Sequence, residues 1–254
     1  MDRHEFKKEF GQNFLRSSTF PKIMVKTLCP LKEESVLEIG PGDGKLTHEL
    51  LCTESNIYAV EIDTTLIPIL LAKFSTNNTF HLVNQDILSL DTDKEGNKYS
   101  VIGSLPYNIS KKIINKFLRA SVKPRKMVFI IQKEVADDYV AEAPRATFLS
   151  NYVKLFSIAK IIKKIPSGEF YPRPKVDGAI IEFELIPEIE GFKNIVINLK
   201  QAFTQPRKKL SSNLQSTKLN KGAIEKELTV LGYNPNARPS EIKFDDWITL
   251  SKLL

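Results

Sequence analysis

Cysteine and histidine are scarce in this 254-residue chain, which holds two of the first and three of the second. Cys29 and Cys52 are too few for a disulfide framework and stand at no zinc-ligand spacing, so both are expected to be plain buried thiols in a reducing compartment. His4, His48 and His81 lie far apart, with no Cys or acidic partner at ligand spacing, and no metal site is expected. Long apolar runs are also lacking: stretches such as Leu66–Ala72 and Val128–Ile131 fall short of the roughly 18–20 residues that a membrane span needs. The opening Met1-Asp2-Arg3-His4-Glu5 carries acids where a targeting peptide would have none, and no apolar core follows it. A soluble, cytoplasmic protein with no membrane partner is expected. Internal repeats and low-complexity tracts are missing too.

What is present is ordinary globular material. With 42% hydrophobic residues, 26% charged, 11 Gly and 14 Pro, the chain can bury a core, which excludes a disordered tail or a collagen-like fibre. The length allows one large domain, or one of ordinary size with an appendage, and a monomer is the default. Net charge is +7, unevenly placed: Glu190–Leu254 holds 11 Lys/Arg against 6 Asp/Glu, while the preceding 189 residues hold 26 against 24. A last quarter that carries most of the excess suggests an appendage facing a polyanion, with nucleic acid favoured over membrane. A merely solvated surface is the alternative.

From about Ser35 to Phe183 short β-branched runs alternate with helix-like segments, the βαβ rhythm of a largely parallel, helix-covered sheet. Strands are expected near Val36–Ile39, Ile57–Val60, Phe80–Val83, Val101–Gly103, Met127–Ile131, Lys160–Ile165 and Ala179–Leu185. Pro187–Gly191 reads as a linker, and helices are expected at Phe192–Phe203, Arg207–Gln215, Lys221–Leu231 and Glu241–Leu254. The fold class is therefore α/β: a seven-stranded, doubly wound sheet in residues 1–188, closed by a small all-helical domain in 189–254. Trp247, at helical spacing from Leu250, is expected in the core of that tail.

The sharpest local signal is Val36-Leu37-Glu38-Ile39-Gly40-Pro41-Gly42-Asp43-Gly44-Lys45-Leu46-Thr47, a strand running through a three-glycine turn into a helix. Such a turn lets a ligand approach bare backbone at a helix N-terminus. Its G-x-G-x-G spacing departs from the G-x-G-x-x-G of dinucleotide sites and favours S-adenosylmethionine. Glu61 follows the second strand directly, placed to accept from ribose hydroxyls, and Asp86 follows the third, placed to accept from an adenine amine. Either acid alone could be a helix cap. The fourth strand ends in Gly103-Ser104-Leu105-Pro106-Tyr107-Asn108, a turn of the type found in amino-group methyltransferases. A side-chain oxygen and the carbonyl before proline can hold the two N–H groups of an exocyclic amine while the aromatic ring stacks on the base.

With these residues the chain resembles the rRNA adenine N6,N6-dimethyltransferase family over almost its whole length. The resemblance also includes Gly11-Gln12-Asn13-Phe14-Leu15, Phe170-Tyr171-Pro172-Arg173-Pro174-Lys175-Val176-Asp177, and Ala202-Phe203-Thr204-Gln205-Pro206-Arg207-Lys208-Lys209-Leu210-Ser211-Ser212-Asn213-Leu214. It implies a Rossmann-like methyltransferase fold, S-adenosylmethionine as methyl donor, and small-subunit rRNA within the small ribosomal subunit as substrate. It matches Gln12, Asn13 and Leu15 to the segment that closes over the donor. Gly40, Gly42, Glu61, Asp86, Ile87 and Ser104 match donor contacts, with Asp43 a neighbour. Ser104, Leu105, Pro106 and Tyr107 match the holders of the target adenine, and Phe170 the aromatic on its opposite face. Arg207, Lys208 and Lys209 match a basic run facing RNA phosphates.

Two positions depart from the family pattern. Ser104 stands where Asn is usual; its hydroxyl still accepts from an amine but is shorter and carries a donor of its own. Loss of a positioned acceptor can cost roughly 10²–10³ in rate, by analogy with oxyanion-hole deletions. Pro206 interrupts a run that is usually basic throughout. Two alternatives therefore stay beside the main reading: a large-subunit rRNA dimethylase of the macrolide-resistance type, and a non-catalytic RNA-binding factor on the same scaffold. The basic run makes a direct prediction. Lys208→Glu should weaken binding to structured RNA and flatten its dependence on salt, measured as Kd against salt concentration; an unchanged affinity across salt would place the RNA surface elsewhere.

Overall fold

The computed structural model describes residues 13–92, 99–215 and 220–253. In chain order the elements are β1 (Phe14–Leu15), α1 (Thr19–Leu28), β2 (Ser35–Ile39), α2 (Lys45–Leu50), β3 (Asn56–Glu61), α3 (Ile67–Phe74), β4 (Phe80–Asn84), β5 (Tyr99–Ser104), α4 (Ser110–Leu118) and β6 (Lys126–Gln132). There follow α5 (Lys133–Val140), α6 (Phe148–Lys154), β7 (Ser157–Ile165), β8 (Phe170–Tyr171), β9 (Gly178–Leu185), α7 (Phe192–Ala202), α8 (Leu210–Asn213), α9 (Lys221–Val230) and α10 (Phe244–Leu253).

Seven strands form one sheet in the order β4-β3-β2-β5-β6-β9-β7. The pairs β2·β3, β2·β5, β3·β4 and β5·β6 are parallel, and β6·β9 is antiparallel. The central strands are apolar on both faces because helices cover both: Val101, Ile102, Met127, Val128, Phe129, Ile130 and Ile131 are wholly buried. All seven expected strands are there, each within three residues of its expected ends. Strand order reverses on either side of β2, and such a switch point opens a crevice at the carboxyl ends of the strands.

At the opposite end of the sheet a buried ion pair fixes the strand starts. Arg125, just before β6, donates Nε and Nη2 to the Glu34 carboxylate, each at 3.0 Å, and Ser100 of β5 donates its hydroxyl to the same group at 2.7 Å. Burial alone would raise the Glu34 carboxyl, but these bonds and the Leu31 N–H hold it below its ordinary value. Arg125 also caps the end of α1 through the carbonyls of Leu28 and Cys29. Such a pair registers the strands more than it stabilises them, since removal of one partner strands a buried charge.

A short antiparallel ribbon, β1·β8, stands outside the main sheet and joins Phe14 to Tyr171 and Leu15 to Phe170. Two residues per strand give no periodicity to read, so the sequence does not announce it.

Several expectations are corrected. By packing, one compact unit takes the described residues up to Ala136 with Lys160–Leu185, and the second takes Asp137–Ala159 with Ile186–Leu254. The boundary near 188 is thus close at one crossing, but Asp137–Ala159 belongs with the helical tail. An aromatic seam within that unit is the reason: Phe148 meets Phe203 at 6.4 Å, Phe156 meets Phe192 at 5.6 Å, and Phe203 meets the fully buried Trp247 at 6.2 Å. The helix expected at Arg207–Gln215 shrinks to Leu210–Asn213, because Lys209 is extended at its N-cap and Arg207 and Lys208 sit in the turn after Pro206. The last helix starts at Phe244, not Glu241, after a 3₁₀ turn at Pro239–Glu241. Cys29 and Cys52 are exposed, not buried, because both lie at helix ends facing outward. Among the described residues no helix is long and apolar enough to cross a membrane.

At Gly103 of β5, opposite Ile39 of β2, an added Cβ would sit 2.5 Å from the Ile39 carbonyl oxygen. A backbone atom cannot move aside cheaply. Gly103→Ala should therefore cost about 1–3 kcal/mol of stability, read from the urea midpoint at unchanged slope.

Candidate active site

The crevice at the switch point forms a cleft open to solvent. Its walls come from the turns after β2, β3, β4 and β5 and from the β1·β8 ribbon. From the sequence-derived set it gathers Asn13, Gly40, Gly42, Glu61, Asp86, Ile87, Ser104, Leu105, Pro106, Tyr107 and Phe170. Leu15 is not among the lining residues; it is buried in the core and pairs with Phe170 across the ribbon. Asp43 also turns away, ion-paired with Lys45. Gln12 lies outside the described residues. Arg207, Lys208 and Lys209 are exposed in the second unit.

The glycine turn is held by the acid it serves. Gly42 has φ +60°, and a Cβ there would meet the Phe14 ring at 2.5 Å, so only glycine lets Phe14 close against the turn. Its N–H donates to Glu61 Oε2 at 3.2 Å, while Asp63 N–H donates to Oε1 at 2.9 Å. Each carboxylate oxygen keeps a second acceptor site for a ligand hydroxyl. Burial raises the Glu61 carboxyl above its ordinary value, and the N–H groups of Asp63, Gly42 and Ile62 pull it back. Asp86 lines the cleft, and its Oδ1 accepts from Leu88 N–H at 2.8 Å in an Asx turn, with no helix there for it to cap.

The Ser104–Tyr107 turn is pinned on both sides. Leu105 N–H donates to Ile130 O at 3.0 Å, which carries the β5·β6 ladder one residue past Ser104. Ile109 and Ser110 N–H donate to Pro106 O at 3.2 and 3.0 Å, so α4 begins on the turn. Tyr107 Oη is buried with no hydrogen-bond partner. Its phenol is pushed up to about 12 by burial and then by the Asp177 carboxylate, so it is a hydroxyl and a donor at neutral pH. Phe170 is only 1% exposed, yet its ring reaches the cleft, and the lack of a side chain at Gly178 leaves room for it.

A family model described as ribosomal RNA adenine dimethylase matches residues 3–254. This chain belongs to that family. It is 36% identical over 243 residues to ribosomal RNA small subunit methyltransferase A of Mycoplasma mobile, covering 94% of each chain. It is 35% identical over 260 residues to the protein of the same name from Francisella tularensis subsp. novicida, covering 98% of this chain and 97% of that one. The solved 23S rRNA methyltransferase ErmE is 25% identical, with a TM-score of 0.81, 94% of this chain and 98% of that chain covered. The fold is the Rossmann-like one expected of a methyltransferase.

Several contributors to this site escape sequence reasoning, Phe14, Ile62 and Glu38 among them. Phe14 and Ile62 line the cleft, and Ile62 is 46% exposed although apolar. Its position just after Glu61 is the signal that could have marked it as an apolar wall of the cleft. Glu38 lies beneath the turn, wholly buried, with Oε2 accepting from the Thr47 hydroxyl at 2.8 Å and Oε1 unpartnered. Burial pushes its carboxyl up to about 8, and the Glu61 and Asp43 carboxylates add to the rise. The folded chain therefore keeps a proton that the unfolded chain releases near the ordinary 4.5, and the stabilisation is lost as pH climbs from about 4.5 to about 8. Glu38→Gln removes that titration, so the wild-type Tm should fall relative to the variant across this window; parallel Tm curves would show that Glu38 stays ionised.

Proposed function

We propose that this dimethylase binds S-adenosylmethionine in the cleft and uses it to place two methyl groups on N6 of adenines near the 3′ end of small-subunit rRNA. The observation that carries the reading is convergence: five separate stretches of chain bring the glycine turn, Glu61, Asp86, the Ser104–Tyr107 turn and Phe170 into one cleft. The donor's shape fits what lines it. A Cβ at Gly40 would meet nothing within 4 Å, which leaves open space beside bare backbone for the methionine portion. Glu61 has acceptor capacity for ribose hydroxyls, Asp86 for the adenine amine, and Ile62 offers an apolar face.

When bound, the donor supplies a methyl group already activated on a sulfonium. The protein's own task is then positioning. Ser104 Oγ and the Leu105 carbonyl accept the two N–H groups of the target amine and turn its lone pair away from the ring. Pro106 fixes the turn without adding a competing N–H. Tyr107 and Phe170 supply aromatic faces for a base splayed out of RNA. No side chain has to take the amine proton, which water can receive.

The small subunit is preferred over the large one because relatives named for the small subunit match this chain more closely over nearly its full length than ErmE does. We assign the enzyme to the cytoplasm, the compartment in which a ribosomal RNA substrate would be met. The second unit contributes the RNA grip: Arg207, Lys208 and Lys209 stand exposed on a turn that Asn213 Nδ2 holds through the Ala202 and Gln205 carbonyls. Phosphate contacts of that kind position RNA without reading its sequence.

The deciding test is transfer of labelled methyl from S-adenosylmethionine to undermethylated small ribosomal subunits. Wild type should yield dimethyladenosine, and Glu61→Ala should lower transfer at least about 10-fold through donor affinity, by loss of hydrogen bonds to a charged group. Ser104→Asn should equal or exceed wild type. Label absent from wild type but present with Ser104→Asn would identify a lapsed catalyst kept for binding RNA.

A further inference from the structure

Arg16 and Tyr171 form a pair at the rim of the cleft that the site described above does not use. Three contacts fix the arginine: its N–H donates to Glu169 O at 2.8 Å, its Nε donates to Phe170 O at 3.3 Å, and its guanidinium lies 5.3 Å from the centre of the Tyr171 ring. That distance is within the roughly 6 Å of a cation–π contact. Tyr171 is nevertheless 53% exposed, one of the more open large hydrophobic side chains in the protein, and Arg16 is exposed as well. Their place is set by the ribbon. Tyr171 follows Phe170 in the chain and faces Phe14 across the ladder, and both of those phenylalanines line the cleft.

A flat aromatic ring held beside a fixed cation, open to solvent at the mouth of a base-sized cleft, is the combination that binds single-stranded nucleic acid: the ring offers a stacking surface and the cation a phosphate partner. Core packing does not explain it, since a core tyrosine would be covered. Stabilisation of the ribbon does not require it either, since an exposed cation–π pair is worth little. Arg173 and Lys175 are exposed on the same stretch against one exposed acid, Asp177, so with Arg16 the local charge stays positive.

We propose that Arg16 and Tyr171 form an outer stacking platform for the nucleotide adjacent to the target adenine, Tyr171 against its base and Arg16 on its phosphate. The assignment rests on the reading of the cleft as the target-adenine pocket. It makes the protein hold two consecutive nucleotides, one inside on Tyr107 and Phe170 and one at the rim.

The test uses the whole protein and a fluorescein-labelled RNA hairpin with one unpaired adenine in its loop, with Kd read by anisotropy at low salt. Tyr171→Ala should weaken binding about 10-fold, within the range found for single base–aromatic stacks, and Tyr171→Phe should stay within about two-fold of wild type. Arg16→Ala should weaken binding and flatten its salt dependence. An abasic residue on one side of the adenine, 5′ or 3′, should cost wild type about what Tyr171→Ala costs and cost Tyr171→Ala nothing further. That arm needs no variant to fold differently. Wild type indifferent to both abasic neighbours, an abasic loss undiminished in Tyr171→Ala, a Tyr171→Phe as weak as Tyr171→Ala, or no binding of the hairpin at all would each overturn the platform. Methyl transfer by wild type to undermethylated subunits is measured alongside. Transfer with a failed cycle sinks the platform alone, whereas a coupled cycle without transfer keeps the platform and sinks the enzymatic reading.

Discussion

One carboxylate ties the cleft together. Glu61 ends β3 and holds the Gly42 N–H of the neighbouring turn, so the glycine loop and the end of the next strand are set by the same group. The arrangement is only possible because Gly42 takes a left-handed backbone and carries no side chain, which lets Phe14 close over it. Glu61 then engages Asp63, and Asn84 at the end of β4 donates to the Glu61 carbonyl at 2.8 Å, so the position passes to the third strand end as well. In a parallel sheet neighbouring strand ends lie about 5 Å apart. A chain of short bonds across them is a rigid way to space groups for a nucleoside.

The rest of the catalytic unit serves that edge. The Glu34–Arg125–Ser100 cluster registers β2, β5 and β6 at their starts, and the apolar cores of β5 and β6 carry the register to their ends. Leu105 extends the ladder past the strand, so Ser104 and Pro106 inherit the sheet's precision. Sites on sheet edges gain accuracy in this way, since a loop alone would not hold an amine within the fraction of an ångström that in-line transfer needs.

The seven strands and the four site turns are legible in the sequence because each is a local signal: β-branched runs, glycine spacing, an acid just after a strand, a proline–aromatic pair. Features made by residues distant in sequence are not. The β1·β8 ribbon has two residues per strand, and only the fold brings Phe14 to Tyr171. The return of Asp137–Ala159 to the helical unit depends on aromatic pairs such as Phe148 with Phe203, which periodicity cannot match across the intervening strands. Glu38 reads as a neighbour of the glycines, but its burial, and so its proton, is a property of the packed state. Lys209 reads as helical from its neighbours, whereas the extended residue that starts α8 follows from how Asn213 ties the preceding turn. Around Ser104 the turn is pinned on both sides, by the Leu105 N–H and by the Pro106 carbonyl.

The ribbon also has a consequence in time. The bond from Arg16 to the Phe170 carbonyl spans 154 residues, and the wall it builds includes both Phe14 and Phe170. Contacts of such long loop closure form late, because their entropy must be met before they contribute. During synthesis the amino-terminal segment therefore waits until two-thirds of the chain has left the ribosome before its half of the cleft can be made. An enzyme of ribosomal RNA thus completes its own site late on the ribosome that makes it.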